Sequence, residues 1–147
     1  MPSVTQLEKF LRRVDRTFPV PLSQKQDLAA YAQKLYEKAT LCAVYNGEDI
    51  VSLTAGYTDC LTDGIAYIAI VATVPGEGGK GLASETVRRF IAVCREKNIS
   101  AVHLYAVPSN IAAMKMYEKL GFERYEVLNE PRPNDAHLIC YLKEGTV

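Results

Sequence analysis

No sign of charge dominates this 147-residue chain, in which seventeen Lys and Arg stand against seventeen Asp and Glu. That balance excludes a general attraction to nucleic acid or to an anionic membrane, so any basic site must be local. No apolar run approaches the roughly 20 residues of a membrane span, and Met1-Pro2-Ser3-Val4-Thr5-Gln6 lacks the basic and apolar regions of a signal peptide. The expected setting is the cytoplasm, with no membrane and no nucleic acid as partner. Cys42, Cys60, Cys94 and Cys140 show no C-x-x-C spacing, which points to buried thiols rather than disulfides or zinc ligands, and no metal is expected. Internal repeats, low-complexity stretches and interdomain linkers are also missing. Residues 1–147 therefore read as a single domain, with 48% hydrophobic residues to fill one core.

Ser3 and Gln6 have the spacing of a capping box, and Leu7, Phe10, Leu11, Val14 and Phe18 recur at helical intervals. Phe18-Pro19-Val20-Pro21 breaks that helix. Ser23 with Gln26 repeats the start signal for a second one, with Leu28, Tyr31, Leu35 and Tyr36 on its apolar face, and the two predict an antiparallel helical flap. Thr40–Tyr45 and Asp49–Tyr57 flank Asn46-Gly47, a hairpin signal. Thr58–Gly64 reads as a polar loop. Two late strands are expected over Phe122–Leu128 and Ala136–Leu142, separated by the loop 129–135.

The centre of the chain carries the chemistry. An apolar strand, Ile65–Val74, enters Pro75-Gly76-Glu77-Gly78-Gly79-Lys80-Gly81-Leu82-Ala83-Ser84 and then a helix. Strand, glycine turn and helix aim backbone N–H groups and the positive end of a helix dipole at one spot, a site for an anion such as pyrophosphate. A second strand, Ala101–Val107, leads through Pro108-Ser109-Asn110 into a helix ending Met116-Tyr117-Glu118-Lys119-Leu120-Gly121-Phe122. Gly76-x-Gly78-x-x-Gly81 also matches a dinucleotide fingerprint, but Ala101–Val107 holds no acidic residue for a ribose, and two helices and a hairpin come first. A Walker turn is excluded because Val74 and Gly81 stand where Gly and Ser or Thr are required.

This layout resembles the acyl-CoA-binding half of the GCN5-related N-acetyltransferase (GNAT) superfamily, over residues 40–142 and most densely over 65–123. The resemblance implies an α/β (α+β) acyl-CoA N-acyltransferase fold, with a mixed central sheet of about six strands flanked by helices. It also implies acetyl-CoA as co-substrate. The backbone of Gly79, Lys80, Gly81, Leu82, Ala83 and Ser84 would bind the CoA pyrophosphate, with a bulky side chain at Gly81 expected to obstruct it. The pantetheine arm would pair with Val71, Ala72 and Thr73. Lys80 is either an added charge on a phosphate or a solvated lysine. Asn110 would contact the cofactor arm or merely cap its helix, and Tyr117 would protonate the leaving thiolate or merely pack. The family's Arg or Gln at the start of the turn is replaced by Gly78.

The proton acceptor is left open. Tyr67-Ile68-Ala69-Ile70-Val71 lacks the carboxylate that many similar enzymes carry there, which leaves His103, Tyr105, His137 (beside Asp135) or a water relay as general base. Met1–Thr5 is also too short for the strand with which the family commonly begins. The expected activity is acetyl transfer to a primary amine, by direct attack in a ternary complex, with a small metabolite or amino sugar as acceptor. The alternatives are a peptide or protein acceptor, a non-catalytic acyl-CoA-binding module and, more distantly, a nucleotide-dependent oxidoreductase. Thiol release from acetyl-CoA in the presence of amines separates them. The acyl length is undefined and a homodimer is left open.

Overall fold

The computed structural model describes residues 1–59, 61 and 63–142, so Cys60 lies outside the described residues. Cys42, Cys94 and Cys140 are buried. The element order is α1 (Val4–Val14), α2 (Leu28–Lys38), β1 (Thr40–Asn46), β2 (Asp49–Tyr57), β3 (Ile65–Thr73), α3 (Leu82–Glu96), β4 (Ala101–Ala106), α4 (Ile111–Lys119), β5 (Glu123–Arg124) and β6 (Ala136–Tyr141). The strands form one mixed sheet in the order β1-β2-β3-β4-β6-β5, flanked by helices. No helix among the described residues is long and apolar enough to cross a membrane. Two compact units divide the chain: Met1–Tyr57 with Ala69–Phe90, and Thr58–Ile68 with the residues from Ile91 on.

In the first unit, α1 starts with the capping box the sequence announces. Ser3 Oγ accepts from Gln6 N at 3.1 Å, and Gln6 Oε1 accepts from Ser3 N at 2.9 Å. Its stripe of Leu7, Phe10, Leu11 and Val14 is at most 1% exposed. Each such side chain contributes roughly 1.5–3 kcal/mol by leaving water. The helix ends at Val14 rather than Phe18, which packs on the core from the following turn.

The second helix also starts elsewhere than the sequence suggests. Ser23 is drawn away from a capping role by Asp15, whose two carboxylate oxygens accept from the Ser23 N–H and hydroxyl at 2.8 and 2.7 Å. Those two bonds, the hydroxyl's first, hold the Asp15 carboxyl below its ordinary value. The cap is Asp27, which accepts from Ala29 N, and the buried face is Leu28, Ala32 and Leu35, with Tyr36 exposed.

The hairpin register pairs Asn46 with Asp49, so its two-residue turn is Gly47-Glu48, one position later than expected, with Gly47 at φ 65. Glycine with positive φ at the first central position is what a type II′ turn requires. Gln6 and Lys9 of α1 hold this end of the hairpin through Glu48 O (2.8 Å) and Asp49 (2.7 Å). Strand β2 is buried on both faces, and its hydroxyls are paired: Ser52 with Thr73 at 3.0 Å and Thr54 with Thr86 at 2.8 Å. An unpaired buried hydroxyl would cost about 1–3 kcal/mol.

The second unit is organised by β4. It runs parallel to β3 over Ile65–Tyr67 against Ala101–His103, and antiparallel to β6 from Ala101↔Tyr141 to Ala106↔Ala136. Of the expected strand Phe122–Leu128, β5 covers Glu123–Arg124, which pairs with β6, and Tyr125 N adds a bond to His137 O at 2.8 Å.

Asp27→Ala is expected to cost about 1 kcal/mol in urea unfolding, the usual effect of losing an N-cap. Ser23→Ala should cost distinctly less; the reverse ranking would return the cap to Ser23.

Candidate active site

Strand β3 alternates strictly: Ala66, Ile68, Ile70 and Ala72 are buried, while Tyr67, Ala69, Val71 and Thr73 occupy the other face and are half-buried. The ladder to β4 stops at Tyr67↔His103, so it does not use the backbone of Val71, Ala72 or Thr73. The chain then turns through Gly76 (φ 93), Gly79 (φ 78) and Gly81 (φ 78). Gly81 O accepts the first helical bond, from Glu85 N at 3.0 Å. The N–H groups of Leu82, Ala83 and Ser84 therefore stand in the first turn of α3, where a helix supplies no acceptors of its own.

A Cβ built on Gly78, Gly79 or Gly81 meets no protein atom within 4 Å. Side chains at Gly79 and Gly81 are thus disfavoured by backbone conformation and not by crowding within the protein. Lys80 is exposed, and its ammonium is held by Glu77 at 2.8 Å. It enters the turn as half of a local ion pair.

In the second unit, Asn110 caps α4, its Oδ1 accepting from Ala113 N at 3.1 Å. Capping occupies that oxygen. Seven residues on, Tyr117 is 6% exposed and meets Phe122 edge-on, with ring centroids 5.6 Å apart. Leu-Gly-Phe explains its position: Phe122 N donates to Tyr117 O and Gly121 N donates to Glu118 O, both at 3.0 Å, with Gly121 at φ 101. These are the paired bonds of a Schellman cap, and Tyr117 against Phe122 is its accompanying apolar contact. Burial pushes the Tyr117 phenol up to about 12, so it stays protonated at neutral pH.

The β4–β6 register brings His103, Tyr105 and His137 together. Tyr105 lies opposite His137, and the two rings stack with centroids 4.2 Å apart. His103 Nδ1 is 2.8 Å from His137 Nε2, and His137 Nδ1 is 2.7 Å from Glu130 Oε2. The Tyr105 hydroxyl donates to the other oxygen of Glu130 at 2.7 Å. Burial works to raise the Glu130 carboxyl, but hydrogen bonds from Tyr105, His137 and the Arg132 backbone outweigh it and hold it below the ordinary range. Burial, with help from Glu130, pushes Tyr105 up to about 12; it is a proton donor here and not a base. Burial and the neighbouring His137 push His103 below its ordinary value, against Asp63 and Glu130.

Asp135, the acid next to His137 in sequence, is instead paired with Arg132 at 2.8 Å. Glu130 takes its place. It lies inside the loop 129–135, where no local pattern marks it as the partner of His137. The available signal was the need of a histidine on β6, stacked beside a tyrosine on β4, for an acceptor from a neighbouring loop. Tyr67 and Tyr125 complete the surround, their ring centroids 5.0 and 6.5 Å from that of His103.

The acetyltransferase (GNAT) family model matches residues 7–122. The chain belongs to the GNAT family. Its sequence is 30% identical over 105 residues to the N-alpha-acetyltransferase MAK3 of Arabidopsis thaliana, covering 70% of this chain and 55% of that protein. It is 36% identical over 63 residues to a mycothiol acetyltransferase of Streptosporangium roseum, covering 43% and 19%. The chain thus spans between about a fifth and just over half the length of these curated relatives. Ard1 from Thermoplasma volcanium has the same fold, with a TM-score of 0.74 at 20% identity over 97% of this chain and 95% of that one. The α/β fold with its six-stranded mixed sheet is therefore the GNAT fold.

In this GNAT chain, Gly121→Ala keeps Phe122 but places a Cβ at φ 101, while the nearest atom, Cys140 Sγ at 3.5 Å, leaves room. The expected cost is about 1–3 kcal/mol from backbone strain alone. Thermal unfolding checks it, and an unchanged midpoint would remove the cap from the account of Tyr117.

Proposed function

We propose that this chain is a cytoplasmic enzyme transferring the acetyl group of acetyl-CoA to a primary amine, by direct attack in a ternary complex, with a small metabolite or amino sugar as acceptor. The observation that carries the reading is the entry to α3, in a GNAT chain. Positive-φ glycines open the backbone there, and three N–H groups of the first turn have no acceptor within the helix. In this reading the backbone of Gly79–Ser84 donates to the CoA pyrophosphate. The backbone of Val71, Ala72 and Thr73 pairs with the pantetheine arm and polarises the thioester carbonyl. The Asn110 amide contacts the arm. Lys80, already paired, adds little.

Tyr117 donates a hydrogen bond to the CoA sulfur. Burial pushes the phenol up to about 12, which keeps it protonated and able to donate. The hydrogen bond steadies the developing charge, and the proton that ends on sulfur comes from the attacking nitrogen as the tetrahedral intermediate collapses. The equal charge balance supports a small acceptor over a charged peptide. The match to an N-alpha-acetyltransferase over 70% of the chain supports a peptide N-terminus as the second reading.

Incubating the protein and acetyl-CoA with amino sugars, polyamines, amino acids and peptides, and following thiol release, tests the proposal. Release dependent on a small amine is expected. Release only with peptides selects the second reading, and none at all leaves a non-catalytic binding module. Acetyl-CoA should raise the unfolding temperature by mass action while NAD and ATP at equal concentration should not. Tyr117→Phe should keep that stabilisation and slow turnover by about 10²-fold or more. Full turnover would reduce Tyr117 to packing.

A further inference from the structure

We propose that Glu130, His137 and His103 form a hydrogen-bonded relay whose outer atom, His103 Nε2, takes the proton from the acceptor ammonium, with Glu130 as the positioning residue. The inference rests on the acetyl-transfer reading for its substrate, and on the cluster's geometry for everything else. An ionised carboxylate accepts and cannot donate. Glu130 therefore requires a proton on His137 Nδ1, 2.7 Å away. A neutral His137 then presents a bare Nε2, and the contact at 2.8 Å requires the proton of His103 on Nδ1. What is left at the end of the chain is the unprotonated Nε2 of His103, on a half-buried side chain. Each tautomer follows from the one before it.

That nitrogen is suited to the missing step. The acceptor ammonium gives one proton to His103 Nε2, and the resulting amine attacks the thioester carbon. The second nitrogen proton goes to sulfur as the C–S bond breaks, giving amide and thiol. The imidazolium charge on His103 spreads through its Nδ1–H toward His137 and faces the Glu130 carboxylate. Glu130 stabilises that charge without taking the proton, because its hydrogen bonds keep it ionised.

The groups facing the pair are Tyr67 from β3, Tyr105 from β4, Tyr125 after β5 and Asp63 before β3. The Arg132 guanidinium lies 4.7 Å from the Tyr105 ring and is neutralised by Asp135. Tyr105 donates to Glu130 at 2.7 Å and, pushed up to about 12, stays protonated near neutrality.

The sign of the pH effect is fixed. A base must be unprotonated, and burial with His137 lowers the His103 value from 6.5. The kcat/KM profile should rise with pH to a plateau, with an apparent pKa below 6.5. His103→Gln should lose that limb and about 10²–10³-fold in kcat/KM. Glu130→Gln keeps the base but removes the charge that stabilises its imidazolium, so the limb should move to lower pH and the plateau should fall. In both variants acetyl-CoA should still raise the unfolding temperature, which separates a chemical role from a folding defect.

Long-range proton–nitrogen NMR correlations of the imidazoles give a readout independent of turnover. Nδ1–H on both His103 and His137 at neutral pH is expected. An Nε2–H tautomer at His103 in an active enzyme overturns the relay alone, as does an unmoved acid limb in Glu130→Gln. Undiminished turnover of His103→Gln overturns its role as base. No transfer to any amine overturns the acetyl-transfer reading and the base role with it; Nδ1–H tautomers would then still establish the hydrogen-bonded chain.

Discussion

The register between β4 and β6 is the constraint on which the second unit depends. Pairing Tyr105 with His137 fixes His103 as the diagonal neighbour of His137 on the same face. The parallel ladder places Tyr67 beside His103. A slip of one residue in β6 would turn His137 to the opposite face and bring Ala136 or Leu138 beside Tyr105. That slip is resisted on the other side of the strand, where Leu138 and Cys140 are buried at 4% and 5% exposure. Ile139, on the His137 side of the strand, is buried at 1%, so both faces of β6 fix the register, and the ring contacts follow from it.

The first unit works by a different device. Its core is apolar and closed, formed by α1, α2 and strands β1 to β3. The hydroxyls inside it are satisfied by one another, Thr54 by Thr86 and Ser52 by Thr73. Against that background the turn after β3 departs from every local preference of an L-residue. Three positive-φ glycines hold the chain open where an ordinary side chain would carry strain. A Cβ at these glycines would meet no protein atom within 4 Å, as is also true at Gly47 and Gly64. At Gly81 the obstruction expected from sequence would therefore act through the backbone or against the ligand, not against neighbouring protein.

The segments legible in the sequence are those where one local rule governs. Ser3 and Gln6 announce a cap and form it. The alternation of β3 and the turn, helix, Asn and Tyr order that follows identify the family. Competition between local signals hid other features: Ser23 has the sequence environment of a cap, but Asp15 captures it and Asp27 caps instead. Distance in sequence hid the rest. Asp135 is two residues from His137 and bonds Arg132, while Glu130, seven residues away in a proline-containing loop, bonds His137. Neither spacing nor composition encodes that exchange, which depends on how the loop folds back over Tyr105.

Direct attack in a ternary complex is the claim on which the chemistry turns, because an amine deprotonated in the site needs no acyl-enzyme intermediate. Initial rates measured over a grid of acetyl-CoA and acceptor concentrations test it most directly. Intersecting double-reciprocal lines, with no acetylated protein accumulating when the amine is withheld, are the predicted result. Parallel lines with a trapped acetyl-protein would contradict it.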